Sequence, residues 1–172
     1  MAAGSALLAS ERYVAASVLR RLEGGPALSP NYPTQEASEV NTFVGAAHTQ
    51  LDRVTEMLAT RPDLAKANWD WGFGDWESAL GAASHVGRRD IAEVLMAHGA
   101  RPNLFTLAML GKVDAVRAIC TAVPGIQRTL GPHDITLMRH ALAGKKEAED
   151  VVAYLTQLGG ADEQPASEPL DE

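Results

Sequence analysis

The chain has 172 residues, of which 46% are hydrophobic and 22% are charged, and this composition is typical of one soluble globular domain rather than a disordered or fibrous chain. The net charge is −7, which argues against a nucleic-acid partner because phosphate binding needs a concentrated basic surface. The single cysteine, Cys120, cannot form a disulfide within the chain, and this is compatible with a reducing compartment.

The two ends of the chain differ from its centre. Residues 1–39 predict an N-terminal helix and a linker, because Leu7, Val14 and Val18 follow helical spacing. Residues 161–172 contain five acidic residues and no basic one, which predicts a disordered acidic tail. No stretch reaches the roughly 18 apolar residues of a membrane span, and the N-terminus lacks the basic start of a signal peptide. We therefore expect a cytoplasmic protein without a membrane partner, unless a native leader has been removed.

Four segments of the central region share one pattern, in which an apolar helix and small residues are followed by a turn and a second apolar helix. The clearest copy is Leu80–Ala100, and the other copies begin at Phe43, Leu104 and Leu137. A single helical hairpin is too small to bury its own apolar face, so repeated hairpins stack and bury these faces between neighbours. The pattern predicts an all-α fold of stacked helical hairpins over residues 40–160.

Small residues mark the turns of these copies. Gly87, Gly111 and Gly144 suit the turn inside each hairpin, where a positive φ is cheap only for glycine, and Ser78 is placed to cap the helix that follows it. With these features the pattern resembles the ankyrin repeat, as a divergent array of about four degenerate copies over residues 40–162. The Thr-Pro-Leu-His signature of that family is missing from every copy. The resemblance implies an α-solenoid that binds other molecules.

The spacing between the copies is uneven. The turn positions are 37 residues apart between the first and second copies, 24 between the second and third, and 33 between the third and fourth. The family period is about 33 residues, and the resemblance implies that each connection projects as a hairpin finger. The short middle connection therefore predicts a missing finger. It would leave a notch between segments 66–78 and 124–135, and concave notches hold ligands.

All three tryptophans of the chain lie in the segment before this notch, residues 66–78, which we name the Trp finger. Trp69, Trp71 and Phe73 alternate, so they would share one face of an extended strand. Two interpretations remain open: the rings form the core of the finger, or they form an exposed aromatic platform for a ligand. The candidate ligand-binding residues are Trp69, Trp71, Phe73, Trp76 and Arg128.

Acidic residues and histidines occur on both sides of the predicted notch. Histidine titrates near neutral pH, so facing carboxylates and imidazoles could exchange protons with a bound molecule. The candidate catalytic residues are Asp70, Asp75, Glu77, His85 and His133. His48 and His85 both follow alanine-rich helices, and each histidine has an ordinary interpretation as a surface, helix-end or hydrogen-bonded residue. No Cys-x-x-Cys, His-Glu-x-x-His or glycine-rich phosphate motif is present, so we predict neither a metal nor a cofactor.

Two functions are compatible with these features. The first is an ankyrin-type binding module that recognises a protein or a small apolar or aromatic ligand through the Trp finger and the notch. The alternative is a cofactor-free small-molecule enzyme, such as an isomerase, cyclase or hydrolase, that uses the acid–base residues of the notch. The sequence leaves open whether the protein is an enzyme.

Overall fold

The computed structural model describes residues 35–159, and the predicted N-terminal helix and acidic tail lie outside the described residues. Within this range the chain is mostly helical, which confirms the all-α prediction. The elements are α1 Ala37–Ala46, α2 Leu51–Thr60, β1 Asn68–Asp70, β2 Trp76–Ser78, α3 Ala79–His85, α4 Arg89–Ala97, α5 Leu104–Met109, α6 Val113–Ala122, α7 Leu137–Ala143 and α8 Glu149–Leu158. Of the helices in residues 35–159, none combines the length and the apolar character that crossing a bilayer requires.

The helices pack in four consecutive pairs, α1 with α2, α3 with α4, α5 with α6, and α7 with α8. The first helices of the pairs also contact one another in chain order. The second helices are amphipathic: Ile91 and Leu95 of α4 are four residues apart and buried on one face, as are Val151 and Leu155 of α8. Each pair therefore buries an apolar face that it could not bury alone.

The first helices of the last three pairs begin with the same kind of cap. Ser78 Oγ accepts a hydrogen bond from the backbone N–H of Gly81 at 2.9 Å, as the sequence predicts. Asn103 caps α5 and Thr136 caps α7 through backbone N–H groups three residues further along. Each side chain satisfies a backbone donor that has no partner inside the helix.

Two of the three predicted glycine turns have the expected conformation. Gly87 has a φ of +75° and Gly111 a φ of +70°. The prediction of a positive φ is wrong for Gly144, whose φ is −71°. Gly144 is required for a different reason: a Cβ there would overlap the carbonyl oxygen of Met109 and lie 2.7 Å from the Cβ of Ala148.

The third pair departs from a regular stack. Helix α3 contacts α7 as well as α5, whereas a repeat in a regular solenoid contacts only its immediate neighbours. Helix α5 has only six residues, and Gly87 of the second pair packs directly against the backbone of Ala143 in the fourth pair. The loops that precede α3 and α7 are thereby brought together.

The buried apolar residues of the described chain form two clusters. One contains Phe43, Leu58 and Leu95 and belongs mainly to the first two pairs. The other contains Cys120 and Leu155 and belongs to the last two pairs. The division falls within α5, because Met109 belongs to the first cluster and Ala108 to the second.

Candidate functional site

The Trp finger is a short hairpin whose strands β1 and β2 pair antiparallel, with Trp69 opposite Glu77. The turn between the strands is shaped by Asp70, whose Oδ1 accepts hydrogen bonds from the backbone N–H groups of Gly72 at 2.9 Å and Gly74 at 3.2 Å. Asp70 therefore fixes the turn of the finger.

The three alternating aromatic residues do not share one face, so this prediction from the sequence is wrong. Strand β1 ends at Asp70, and Phe73 lies in the turn with a φ of +55°. Trp69 packs on the first apolar cluster, whereas Phe73 is fully exposed. Trp71 turns toward the histidines and donates a hydrogen bond from Nε1 to Glu77 Oε2 at 2.9 Å. The finger thus supplies both a packed ring and exposed rings.

Glu77 is completely buried, and three histidine rings surround its carboxylate. Its Oε2 lies 3.4 Å from His48 Nε2 and 3.5 Å from His133 Nε2. Its Oε1 lies 3.1 Å from His85 Nε2. One donor atom from each of these four residues lies within 4.8 Å of all the others. We name His48, Glu77, His85 and His133 the Glu77 centre.

Four separate parts of the fold position this centre. His48 follows the end of α1, and His85 is the last residue of α3, so the two rings occupy equivalent positions in the first and second pairs. Glu77 lies in β2, directly before the Ser78 cap of α3. His133 comes from the short helical turn Pro132–Asp134 that precedes α7. The contact between α3 and α7 is what allows His133 to reach the other three residues.

The surroundings of Glu77 favour its ionised form. Burial raises the pKa of Glu77. The adjacent His85 and the Trp71 N–H, together with the charge that His48 carries when it is protonated, more than offset burial and hold the pKa below its ordinary value. A buried carboxylate that remains ionised requires positive charge or hydrogen-bond donors close by.

Asp75 connects the Trp finger with the segment before α7. Its two oxygens bind His133, one at the backbone N–H at 3.0 Å and the other at ring Nδ1 at 2.6 Å. The hydrogen bond from the His133 backbone lowers the pKa of Asp75 despite some desolvation, and so do the bond to the His133 ring and the charge that this ring carries when it is protonated. Four of the five predicted catalytic residues, Asp75, Glu77, His85 and His133, therefore come together, and Asp70 is not part of this group.

A cavity of about 620 Å³ lies where the sequence predicts the notch, between the Trp finger and the segment around His133. Phe73, Trp76 and Phe105 contribute aromatic surface to its lining. A second cavity of about 860 Å³ begins on the other side of His133 and is bordered by His85. His133 lines both cavities, so molecules in either one can approach the Glu77 centre.

Sequence reasoning placed one candidate incorrectly and omitted another. Arg128 is exposed in the turn Ile126–Arg128 and lies apart from the lining of both cavities. His48 belongs to the Glu77 centre although it was not among the predicted site residues. Its equivalence to His85, two positions before the turn of its pair, is the signal that could have identified it.

The Glu77 centre can perform two kinds of chemistry. Imidazoles beside a carboxylate can exchange protons near neutral pH, and three imidazole nitrogens with one carboxylate oxygen can also hold a divalent cation. Comparisons of this chain with family models, with curated proteins and with solved structures found no match.

Proposed function

We propose that this protein is a divergent ankyrin-type binding module that takes a small aromatic ligand into the notch beside the Trp finger. The consecutive helix pairs and the repeated helix caps support the ankyrin-like arrangement. The observation that carries ligand binding is the cavity of about 620 Å³ between the Trp finger and His133. Its volume lies in the range of small-molecule sites, about 300–1,000 Å³.

The lining of this cavity suggests the chemistry of the ligand. Phe73 and Trp76 offer apolar faces, while Asn68, Asn103 and Asp75 offer hydrogen-bonding groups. Such a lining suits a small aromatic compound that carries one or two polar substituents. A protein partner is the other ligand class of this hypothesis, since exposed aromatic side chains commonly anchor protein interfaces.

A second candidate function is cofactor-free catalysis on a small molecule, by an isomerase, cyclase or hydrolase. The observation that favours it is that the His133 ring lies between two carboxylates, 2.6 Å from Asp75 and 3.5 Å from Glu77. An imidazole held in this way beside two cavities is suited to pass a proton to and from a substrate.

Ligand-observed NMR with a library of small aromatic acids, amides and heterocycles tests the binding proposal. With chelator-treated protein, Trp76→Ala is expected to weaken the binding of these compounds by roughly 1–3 kcal/mol. Leu158→Ala removes an exposed side chain at the end of α8 and is the matched control. Equal binding by the wild type and Trp76→Ala would contradict the proposal.

The same compounds test the catalytic candidate. If a bound compound is converted, His133→Gln is expected to slow turnover by about 10²–10⁴-fold while binding is retained. Compounds that bind without any conversion would support the binding module alone.

A further inference from the structure

The Glu77 centre has more hydrogen-bond acceptors than donors, and His48 shows why. Its Nδ1 lies 3.2 Å from the carbonyl oxygen of Val44 and 3.1 Å from that of Gly45. A carbonyl oxygen can only accept a hydrogen bond, so the proton of the neutral His48 ring is on Nδ1. The lone pair of Nε2 then faces Glu77 Oε2, which is also an acceptor.

His133 has the same arrangement with a different partner. Its Nδ1 lies 2.6 Å from Asp75 Oδ2, and an ionised carboxylate also only accepts. The proton of the neutral His133 ring is therefore held on Nδ1. Its Nε2 presents a second lone pair to Glu77 Oε2, at 3.5 Å.

The third histidine leaves two buried atoms without hydrogen bonds. Glu77 Oε1 and His85 Nε2 are 3.1 Å apart, yet neither has a hydrogen-bond partner among residues 35–159. Buried polar atoms are nearly always paired, because an unpaired one forfeits the hydrogen bonds it made with water. The lone pairs of His48 and His133, the Glu77 carboxylate and the unpaired His85 Nε2 converge here, and a cation between them would satisfy all four groups.

The distances from Glu77 to His48 and His133 are typical of two ligands of one metal ion rather than of a hydrogen bond. A charged N–H···O hydrogen bond spans about 2.7–2.9 Å, which is shorter than the distances of Glu77 from His48 and His133. A zinc ion binds nitrogen and oxygen at about 2.0–2.2 Å, so its tetrahedral ligand atoms are about 3.3–3.6 Å apart. The distances from Glu77 Oε2 to the Nε2 atoms of His48 and His133, 3.4 and 3.5 Å, lie in that range. His85 Nε2 lies 3.1 Å from the other carboxylate oxygen, Oε1.

We propose that His48, Glu77, His85 and His133 bind one divalent transition-metal ion through three Nε2 atoms and a carboxylate oxygen. This donor set has no thiolate and suits Zn²⁺, with Co²⁺, Ni²⁺ and Cu²⁺ as substitutes. The metal site lies beside the cavity of the proposed ligand, and metal binding does not depend on ligand binding in that cavity.

Groups behind the ligands also match a metal site. Metal-binding histidines usually donate their second ring N–H to a carbonyl or a carboxylate, as His48 does to Val44 and Gly45 and His133 does to Asp75. Glu77 and Asp75 together supply two negative charges to balance a divalent ion. The His48 and His133 side chains are 24% and 34% exposed, so an ion can enter from their side of the centre.

Titration of the full-length protein with zinc sulfate and cobalt chloride tests the proposal, after a chelator has been applied and removed. Calorimetry is expected to show one Zn²⁺ per chain, and cobalt to give the visible absorption of a tetrahedral centre. His85→Gln and Glu77→Gln are expected to lower zinc affinity by at least about 100-fold, and Asp75→Asn by about 10–100-fold. Circular dichroism establishes that each variant is folded.

Two variants are matched controls for these substitutions. His98 is exposed and bonds to the Val94 carbonyl of its own helix, so His98→Gln is expected to leave zinc affinity unchanged. Glu56 is exposed and pairs with Arg53 of its own helix, so Glu56→Gln controls for the loss of an acidic residue. If either buried variant fails to fold, His48→Gln takes its place, because that ring is partly exposed and the same loss of affinity is expected.

Less than half an equivalent of bound zinc in the wild type would overturn the proposal. So would equal zinc affinity in the wild type and in folded Glu77→Gln or His48→Gln. The aromatic-ligand screen uses chelator-treated protein, so its result is independent. Ligand binding without zinc binding rejects the metal site alone, and zinc binding without ligand binding rejects the binding module alone.

Discussion

A single carboxylate, that of Asp75, holds both the backbone and the ring of His133. One oxygen accepts from the His133 backbone N–H at 3.0 Å, and the other lies 2.6 Å from Nδ1. His133 has a φ of +59°, a left-handed conformation that is uncommon for a residue with a Cβ. Asp75 therefore stabilises a turn that the local backbone does not favour, and this turn places the ring beside Glu77.

Asp75→Ala tests this relationship. The variant is expected to lose about 1 kcal/mol of stability, because both side chains are about one-third exposed and solvent screens their charges. Amide hydrogen exchange of residues 131–135 is expected to accelerate. Asp90→Ala removes an exposed acidic residue elsewhere and is expected to leave that exchange unchanged. Equal exchange in Asp75→Ala and the wild type would show that the turn does not depend on Asp75.

Gly144→Ala and Gly45→Ala form a matched pair. A Cβ at Gly144 would overlap the Met109 carbonyl, so that variant is expected to be destabilised by about 1–3 kcal/mol. A Cβ at Gly45 meets no atom of the described residues within 4 Å, and Gly45 lies inside helix α1. Gly45→Ala is expected to stabilise the protein by about 0.4–1 kcal/mol. Urea unfolding measures both, and a tolerated Gly144→Ala would contradict the close packing of the third and fourth pairs.

Leu95→Ala tests the packing of the second pair. The side chain is fully buried in the first apolar cluster, and its truncation is expected to cost about 2–5 kcal/mol. Leu158→Ala makes the same chemical change at a position that is 41% exposed, and its cost is expected to stay within about 0.5 kcal/mol. Chemical denaturation of the two variants measures the difference. Similar costs would mean that Leu95 is not a core residue.

Cys120 provides a prediction about pH. Burial raises the pKa of its thiol, and the nearby Tyr154 opposes this only in part. The folded protein therefore holds the proton more tightly than the unfolded chain does. The protonated thiol therefore favours the folded state. Its contribution to the free energy of unfolding is present below the ordinary thiol pKa of about 8.5, and it is lost as pH rises through the higher pKa of the folded protein.

Two measurements check this behaviour. Labelling of native Cys120 by a thiol-reactive dye is expected to be much slower than labelling in urea, with its pH profile displaced to higher pH. Cys120→Ala is expected to lose less stability than the wild type between pH 7 and pH 10. Equal labelling rates in native and denatured protein would show that the thiol is accessible.

Local features of the sequence determined the helical part of this fold. The apolar spacing of α4 and the cap at Ser78 are set by residues three or four positions apart, so they can be identified without knowing the rest of the structure. The short connection between α4 and α5 was also visible as a count of residues. It predicted a notch between segments 66–78 and 124–135. Of the five acid–base residues predicted beside it, all but Asp70 lie together in the structure.

Only the tertiary structure decided how these residues combine. His48, Glu77, His85 and His133 come from four different segments, and no short motif links them. Helix α3 contacts α7, and this long-range contact brings His133 to Glu77. Gly144 likewise owes its importance to the Met109 carbonyl of another helix pair rather than to its own φ. Periodicity specifies which face of a helix is buried, but it does not specify which distant side chain will meet that face.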